Sequence, residues 1–174
     1  MTRVVFSIGS NMGERLARLQ AVVDCLGEAV VAVSPVYETA AWGGVEQQAF
    51  LNAVLVADDD SLDPYGWLRH AQQLENDNDR VRDQKWGPRT LDVDLVSCAD
   101  GDREVVSDDP ELTLPHPLAH QRAFVLMPWL ALDPAAELLV GGRHRPVAEL
   151  LEEIDPAERD SVRRTELSLK RQRT

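Results

Sequence analysis

Two aspartates, Asp92 and Asp94, stand in the stretch Thr90-Leu91-Asp92-Val93-Asp94-Leu95-Val96. If that stretch is a strand, both carboxylates project from one face, roughly 7 Å apart at Cα, while Leu91, Val93 and Leu95 project from the other. Aspartate is disfavoured in strands, and two like charges this close repel unless something positive lies between them. A hard cation supplies that charge, and magnesium characteristically takes one or two carboxylates together with substrate phosphates. A solvent-facing strand edge accounts for the alternation equally well, so the neighbours decide. Arg80, Arg82, Lys85 and Arg89 crowd into the residues just before the aspartates, in a chain whose net charge is -12. Arginine offers planar, multidentate donors to phosphate oxygens, and the indole of Trp86 can cover a nucleotide or ring while Gly87-Pro88 turns the chain back. For each cation taken alone, a surface salt bridge is the commoner explanation.

His116 lies between Pro115 and Pro117, which restrict the backbone and hold the imidazole in place near Arg122. An isolated loop histidine is more often simply exposed. The sequence has no glycine-rich loop ending in Lys-Ser or Lys-Thr, which argues against a P-loop kinase, and the Gly9-Ser10-Asn11-Met12-Gly13 turn is too generic to indicate phosphate binding. The strong negative charge argues against nucleic acid or an anionic membrane as the main partner. There is no apolar run of eighteen or more residues and no apolar targeting segment at the start, so a soluble cytoplasmic protein is expected. Cys25 and Cys98 fall in apolar periodic stretches without metal-ligand spacing and are expected to be buried free thiols.

These residues need elements to position them. Arg3 to Ile8 reads as a strand, broken by Gly9-Ser10-Asn11 before a helix with Leu16, Leu19, Val22, Val23 and Leu26 at three- and four-residue spacing. Val30 to Tyr37 reads as a second strand and Phe50 to Ala57 as a third. Asp63-Pro64 caps a helix that ends near Asn76 to Asn78. Thr90 to Cys98 alternates as a strand and turns at Asp100-Gly101 to pair with Arg103 to Val106. An irregular stretch from Leu114 to Ala119, a helix from about Phe124 to Leu132, a strand at Leu138 to Val140 and a helix from Val147 to Ile154 follow. The order βαββαβ predicts an α+β, ferredoxin-like fold, a largely antiparallel sheet with helices packed on it. Residues 1–156 form a single domain in this reading, and 157–174 a basic tail, helical and frayed at its end, with no catalytic role expected.

The order of segments resembles the 6-hydroxymethyl-7,8-dihydropterin pyrophosphokinase family over about residues 4 to 133. The resemblance rests on Ile8-Gly9-Ser10-Asn11, on Phe50-Leu51-Asn52-Ala53, on Glu75 followed by Arg80-Val81-Arg82, on the run from Trp86-Gly87-Pro88-Arg89 through Asp94, and on Leu114-Pro115-His116-Pro117 with Arg122 and Phe124. It implies that Asp92 and Asp94 bind two magnesium ions on the phosphates of ATP. Arg82, Arg89, His116 and Arg122 are implied phosphate ligands, with Arg82 and Arg89 catalytic beside the aspartates. Gln72, Glu75, Trp86, Leu95 and Thr113 are implied nucleotide contacts, and Thr39, Trp42, Phe50, Asn52 and Phe124 a pterin pocket. The Asn52 amide suits the donor and acceptor edge of a pterin, and Phe50 and Phe124 can sandwich its flat ring.

Three departures from the family pattern stand out. Ala40-Ala41-Trp42 replaces a frequent proline pair, Phe50 replaces a tyrosine, and Glu111 stands where some relatives carry arginine. The activity implied is diphosphate transfer from ATP to the pterin hydroxymethyl group with release of AMP, a step of folate synthesis. Two readings compete with it: a non-catalytic nucleotide-binding module, which has no need of paired aspartates, and a metal-dependent phosphohydrolase, which has no need of Asn52 and an aromatic pocket.

Overall fold

Strand β1 (Thr2–Ser10) is buried along almost its whole length and lies in the middle of the main sheet. The structure, a computed structural model, describes residues 2–40, 48–78 and 91–171. Along the chain follow α1 (Arg15–Leu26), β2 (Val30–Val33), β3 (Tyr37–Thr39), β4 (Phe50–Asp59), α2 (Pro64–Asp77) and β5 (Asp92–Asp100). Next come β6 (Arg103–Glu104), β7 (Ser107–Asp109), β8 (Leu112–Leu114), α3 (Ala123–Leu132), β9 (Glu137–Val140) and β10 (Arg143–Pro146). Helices α4 (Val147–Glu152) and α5 (Pro156–Asp160) and strand β11 (Val162–Arg164) complete the described chain.

The main sheet runs β11-β3-β4-β1-β5-β6 with β2 also on β4, and its pairings among the described residues are all antiparallel, as the ferredoxin-like expectation requires. Strand alternation sends Val4, Phe6 and Ile8 to one face, where they meet Leu19, Val22, Val23 and Leu26 of α1 and Trp67, Ala71 and Leu74 of α2. Val5, Val54 and Val96 face the other way, onto Val125, Leu126 and Trp129 of α3 and Val147 and Leu150 of α4. Phe6 and Trp67 meet edge to face at 5.7 Å. Each fully buried side chain of this size contributes roughly 1.5–3 kcal/mol, so the two cores clamp the sheet from both sides.

Local signals set several boundaries. The Asp63 carboxylate accepts the Gly66 N–H at 2.7 Å and Pro64 fills the first turn, so α2 starts where expected. The strand expected through Val30 to Tyr37 is instead two, because Pro35 has no N–H to give the ladder. Ser34 bridges the break: its N–H donates to Val54 O and its hydroxyl accepts the Val54 N–H at 2.9 Å. Strand β1 runs through Gly9 and Ser10 rather than stopping at Ile8. Cys98 is buried, which pushes its thiol up to about 12, but Cys25 is exposed on α1, contrary to expectation, because it falls between the inward positions Val22 and Leu26. The helix expected over the tail reaches only Asp160. Beyond it Val162 is buried against the α3 core and the chain pairs with β3 as a strand.

Candidate active site

Three central strands bring the two signal-bearing segments side by side. Gly9 of β1 lies opposite Asn52 of β4 on one side and opposite Asp92 of β5 on the other. Asn52, Gly9 and Asp92 therefore form one row across the sheet, the outer two separated by about two interstrand spacings of ~4.8 Å. The next row holds Val54, Ser7 and Asp94. Gly9 leaves the middle of its row without a side chain. A Cβ placed there would lie 2.8 Å from Asn52 Oδ1 and 3.7 Å from the Phe50 ring, so Asn52 and Phe50 close over a position only glycine fills. The Asn52 amide is buried and donates to Thr39 Oγ1 at 2.8 Å, which fixes its orientation. The result is a trough with an amide and an aromatic ring on one bank and a half-buried carboxylate on the other.

Beyond Asp92 the outer edge of β5 is not covered by β6, which pairs only at Ala99 and Asp100. Helix α2 closes this edge: the buried Glu75 carboxylate accepts the Val93 N–H at 3.2 Å. Between α2, β5 and the β7–β8 hairpin lies a cavity of about 280 Å³, lined by Gln72, Glu75, Asp94, Leu95, Thr113 and His116 among others. Tyr65 of α2 donates to Asp109 of the hairpin at 2.6 Å and ties two walls together. Glu111, one of the departures from the family pattern, also lines this cavity.

The Leu114–Pro115 peptide is cis, and the next residue, His116, donates its N–H to Val96 O at 2.8 Å. Its Nδ1 accepts the Leu118 N–H at 3.1 Å, which leaves the neutral ring a proton on Nε2 to donate. Burial holds the imidazole below its usual pKa, against the pull of the Asp94 carboxylate and aided by the Arg122 charge. His116, Asp94 and Arg122 are thus electrostatic neighbours, and the Arg122 guanidinium sits 5.6 Å over the Phe124 ring.

Of the residues singled out in the sequence, Gln72, Glu75, Leu95, Thr113 and His116 come together at the cavity, and Thr39, Phe50 and Asn52 at the trough. Asp92 and Asp94 stand on β5 between the two. Trp42, Arg80, Arg82, Lys85, Trp86 and Arg89 lie outside the described residues. Among the described residues, no three His, Cys, Asp or Glu side chains converge into a metal cage. A same-face pair of half-buried carboxylates is nonetheless the donor set that suits magnesium, which leaves the rest of its coordination to phosphates and water. Sequence reasoning missed the part of Gly9, which reads as a turn residue, and the Tyr65–Asp109 tie, which no local spacing announces.

The antiparallel sheet with helices on both faces defines a ferredoxin-like domain. A structure of Plasmodium falciparum HPPK-DHPS with pterin and p-hydroxybenzoate matches it with a TM-score of 0.62 at 11% identity, over 88% of this chain and 42% of that one. The chain thus spans under half the length of that protein, and the likeness concerns the fold. The model of the 7,8-dihydro-6-hydroxymethylpterin-pyrophosphokinase family matches residues 5–134, and the chain belongs to that family. The 2-amino-4-hydroxy-6-hydroxymethyldihydropteridine pyrophosphokinase of Mycobacterium tuberculosis H37Rv is 59% identical over 94% of this chain and 89% of the relative. The enzyme of that name from Methylorubrum extorquens is 40% identical over 90% of this chain and 96% of the relative.

Proposed function

We propose that the chain transfers diphosphate from ATP to the hydroxymethyl group of 6-hydroxymethyl-7,8-dihydropterin and releases AMP, a step of folate synthesis. The observation that carries this reading is the position of Asp92 and Asp94. One shares its row with Asn52 across the Gly9 gap, and the other opens onto the cavity held by α2 and the hairpin. A carboxylate pair at the junction of two recesses suits transfer between two bound molecules, which neither a binding module nor a hydrolase requires.

In this mechanism the pterin ring lies in the trough, its polar edge against Asn52, with Thr39, Trp42, Phe50 and Phe124 around it. The nucleotide lies along the cavity against Gln72, Glu75, Trp86, Leu95 and Thr113. Asp92 and Asp94 would hold two magnesium ions, which would neutralise phosphate charge and polarise phosphoryl oxygens. Arg82, Arg89 and Arg122 pair with phosphate oxygens, and the Nε2 proton of His116 donates to another. The pterin hydroxymethyl oxygen bonds to the β-phosphorus and gives up its proton to solvent water, the bond from that phosphorus to the α,β-bridging oxygen breaks, and AMP departs with that oxygen. Fixing both substrates against one sheet supplies alignment, the main contribution open to the protein in phosphoryl transfer. The reading also places the chain in the cytoplasm, where free thiols such as Cys25 and Cys98 persist.

The test is product identity. Incubation with ATP, magnesium and the hydroxymethyl pterin should yield AMP and pterin diphosphate in equal amounts. ADP with a pterin monophosphate, or nucleotide hydrolysis that ignores the pterin, would refute the reading.

A further inference from the structure

The family match ends at residue 134, yet the chain continues, and its last described stretch returns to the sheet. Strand β11 pairs with β3 in the register Val162↔Thr39, Arg163↔Glu38 and Arg164↔Tyr37. The segment that follows is stitched down as well. Thr165 donates both its N–H, at 3.0 Å, and its hydroxyl, at 2.7 Å, to Val36 O. The Gln20 side-chain amide holds the Lys170 backbone through both its donor and its acceptor, and Arg171 donates to Val30 O at 2.8 Å.

The paired strand is the one that carries Thr39. Thr39 Oγ1 is the acceptor that orients the Asn52 amide, and Asn52 in turn closes over Gly9. A second line runs through Glu38, whose carboxylate lies 3.8 Å from Arg163 of β11 and 3.5 Å from Arg15 of α1. Arg15 also donates to Ala49 O at 2.7 Å, one residue before Phe50. Exposed ion pairs such as Arg163–Glu38 contribute little, so the weight falls on the strand pairing and on the buried Val162. Val162 is 5% exposed and packs in the α3 core, which anchors β11 independently of its hydrogen bonds to β3.

We infer that β11 is a positioning element of the trough: it turns β3 from an edge strand into an interior one and so holds Thr39, and through it the Asn52 amide, in the orientation that meets a pterin. This rests on the pterin reading of the trough and reverses the expectation that the tail is irrelevant to chemistry. The effect is confined to one substrate. The cavity is walled by α2, β5 and the β7–β8 hairpin, and β5 is separated from β3 by β4 and β1.

The experiment compares the full chain, a truncation ending at Asp160, and Val162→Ala. For each, the dissociation constants of 6-hydroxymethyl-7,8-dihydropterin and of a non-hydrolysable ATP analogue with magnesium are measured, together with amide exchange in residues 36–39 and 50–54. The truncation should weaken pterin binding about tenfold or more and Val162→Ala several-fold, with nucleotide binding unchanged and faster exchange in residues 36–39. Unchanged pterin affinity in both variants, or equal loss of pterin and nucleotide, overturns the inference. If the truncation fails to fold, Val162→Ala decides by the same criteria. A full chain that binds no pterin would sink the reading of the trough instead, and exchange in residues 36–39 would then decide whether β11 holds β3.

Discussion

The cavity beside β5 is walled by a helix, a strand edge and a hairpin, three elements that meet through side chains such as Glu75, Tyr65 and Asp109. The trough over Gly9 is floored by adjacent strands of one sheet, and its geometry follows from backbone register. A recess held by side-chain ties can change width when one tie is cut, whereas a recess floored by a ladder changes only when a side chain within it is displaced. The proposed occupants, flexible ATP in the cavity and a flat, rigid heterocycle in the trough, match these two constructions.

The largest effect should come from the carboxylate pair that stands between the recesses, Asp92 at the trough and Asp94 at the cavity. Asp92→Ala or Asp94→Ala should lower turnover on the order of a hundredfold or more, since in the proposed mechanism each removes a carboxylate that serves the phosphates, while far-UV circular dichroism stays that of the parent. Near-normal turnover at low magnesium in either variant would return that residue to the role of a strand-edge carboxylate.

Gly9→Ala should separate the recesses. The new methyl lands on Asn52 Oδ1, a side-chain end that can swing only by leaving Thr39. Pterin affinity should fall about tenfold or more, with destabilisation of roughly 1–3 kcal/mol from overpacking, and nucleotide affinity should hold. Equal weakening of both ligands in titration calorimetry would mean that the trough and the cavity are not independent.

Glu75→Ala is the converse. It leaves the Val93 N–H without its carboxylate partner at a buried edge, a cost of roughly 1–3 kcal/mol, and loosens α2 from β5. Melting temperature should drop by several degrees and nucleotide binding weaken several-fold, with pterin binding spared. Unaltered nucleotide binding would show that the helix needs no such tie.

The smallest effect should be that of Tyr65→Phe, which cuts an exposed tie, and its signature is a pH profile. The Tyr65 hydroxyl, with the Glu111 N–H, holds the Asp109 carboxyl below its usual range. Its contribution is therefore complete above the ordinary aspartate value of about 3.9 and is lost as pH falls through the lowered folded value. The same bond raises the Tyr65 phenol, so at the alkaline end the contribution is complete below about pH 10 and is lost as pH rises through the raised folded value. The melting temperature of the parent should exceed that of the variant by a small constant amount between these limits and converge with it in acid. A difference independent of pH down to 2 would refute the assignment.

Local chemistry was legible where the deciding interactions were local. Asp63-Pro64 announces α2, the alternation at Asp92 and Asp94 announces β5, and Pro115-His116-Pro117 announces a fixed imidazole. The segments that failed were decided at long range. Arg163 and Arg164 read as a charged helix because nothing nearby reveals that Glu38 and Tyr37 are their partners across more than a hundred residues of chain. Gly9 reads as a turn because its meaning lies in what stands on either side of it in the sheet. Glu75 was marked by resemblance, but its grip on the Val93 N–H depends on the docking of α2. Resemblance also marked Trp42, Arg82, Trp86 and Arg89, which fall outside the described residues.

Strand β1 pairs along its length with β4 on one side and β5 on the other. This constrains how the chain can have diverged. Gain or loss of one residue within β1 would exchange its faces, putting Ile8 or Ser10 where Gly9 stands and turning Phe6 out of the core. Such indels cannot be selected as small steps, so β1 can drift only by substitution. The bulge in β5 at Val96 marks where one extra residue has been absorbed, past Asp94 and away from the trough. Lineages of this chain should therefore differ in length at turns remote from both recesses, such as Gly141-Gly142 between β9 and β10, and a designer seeking insertion points should look there first.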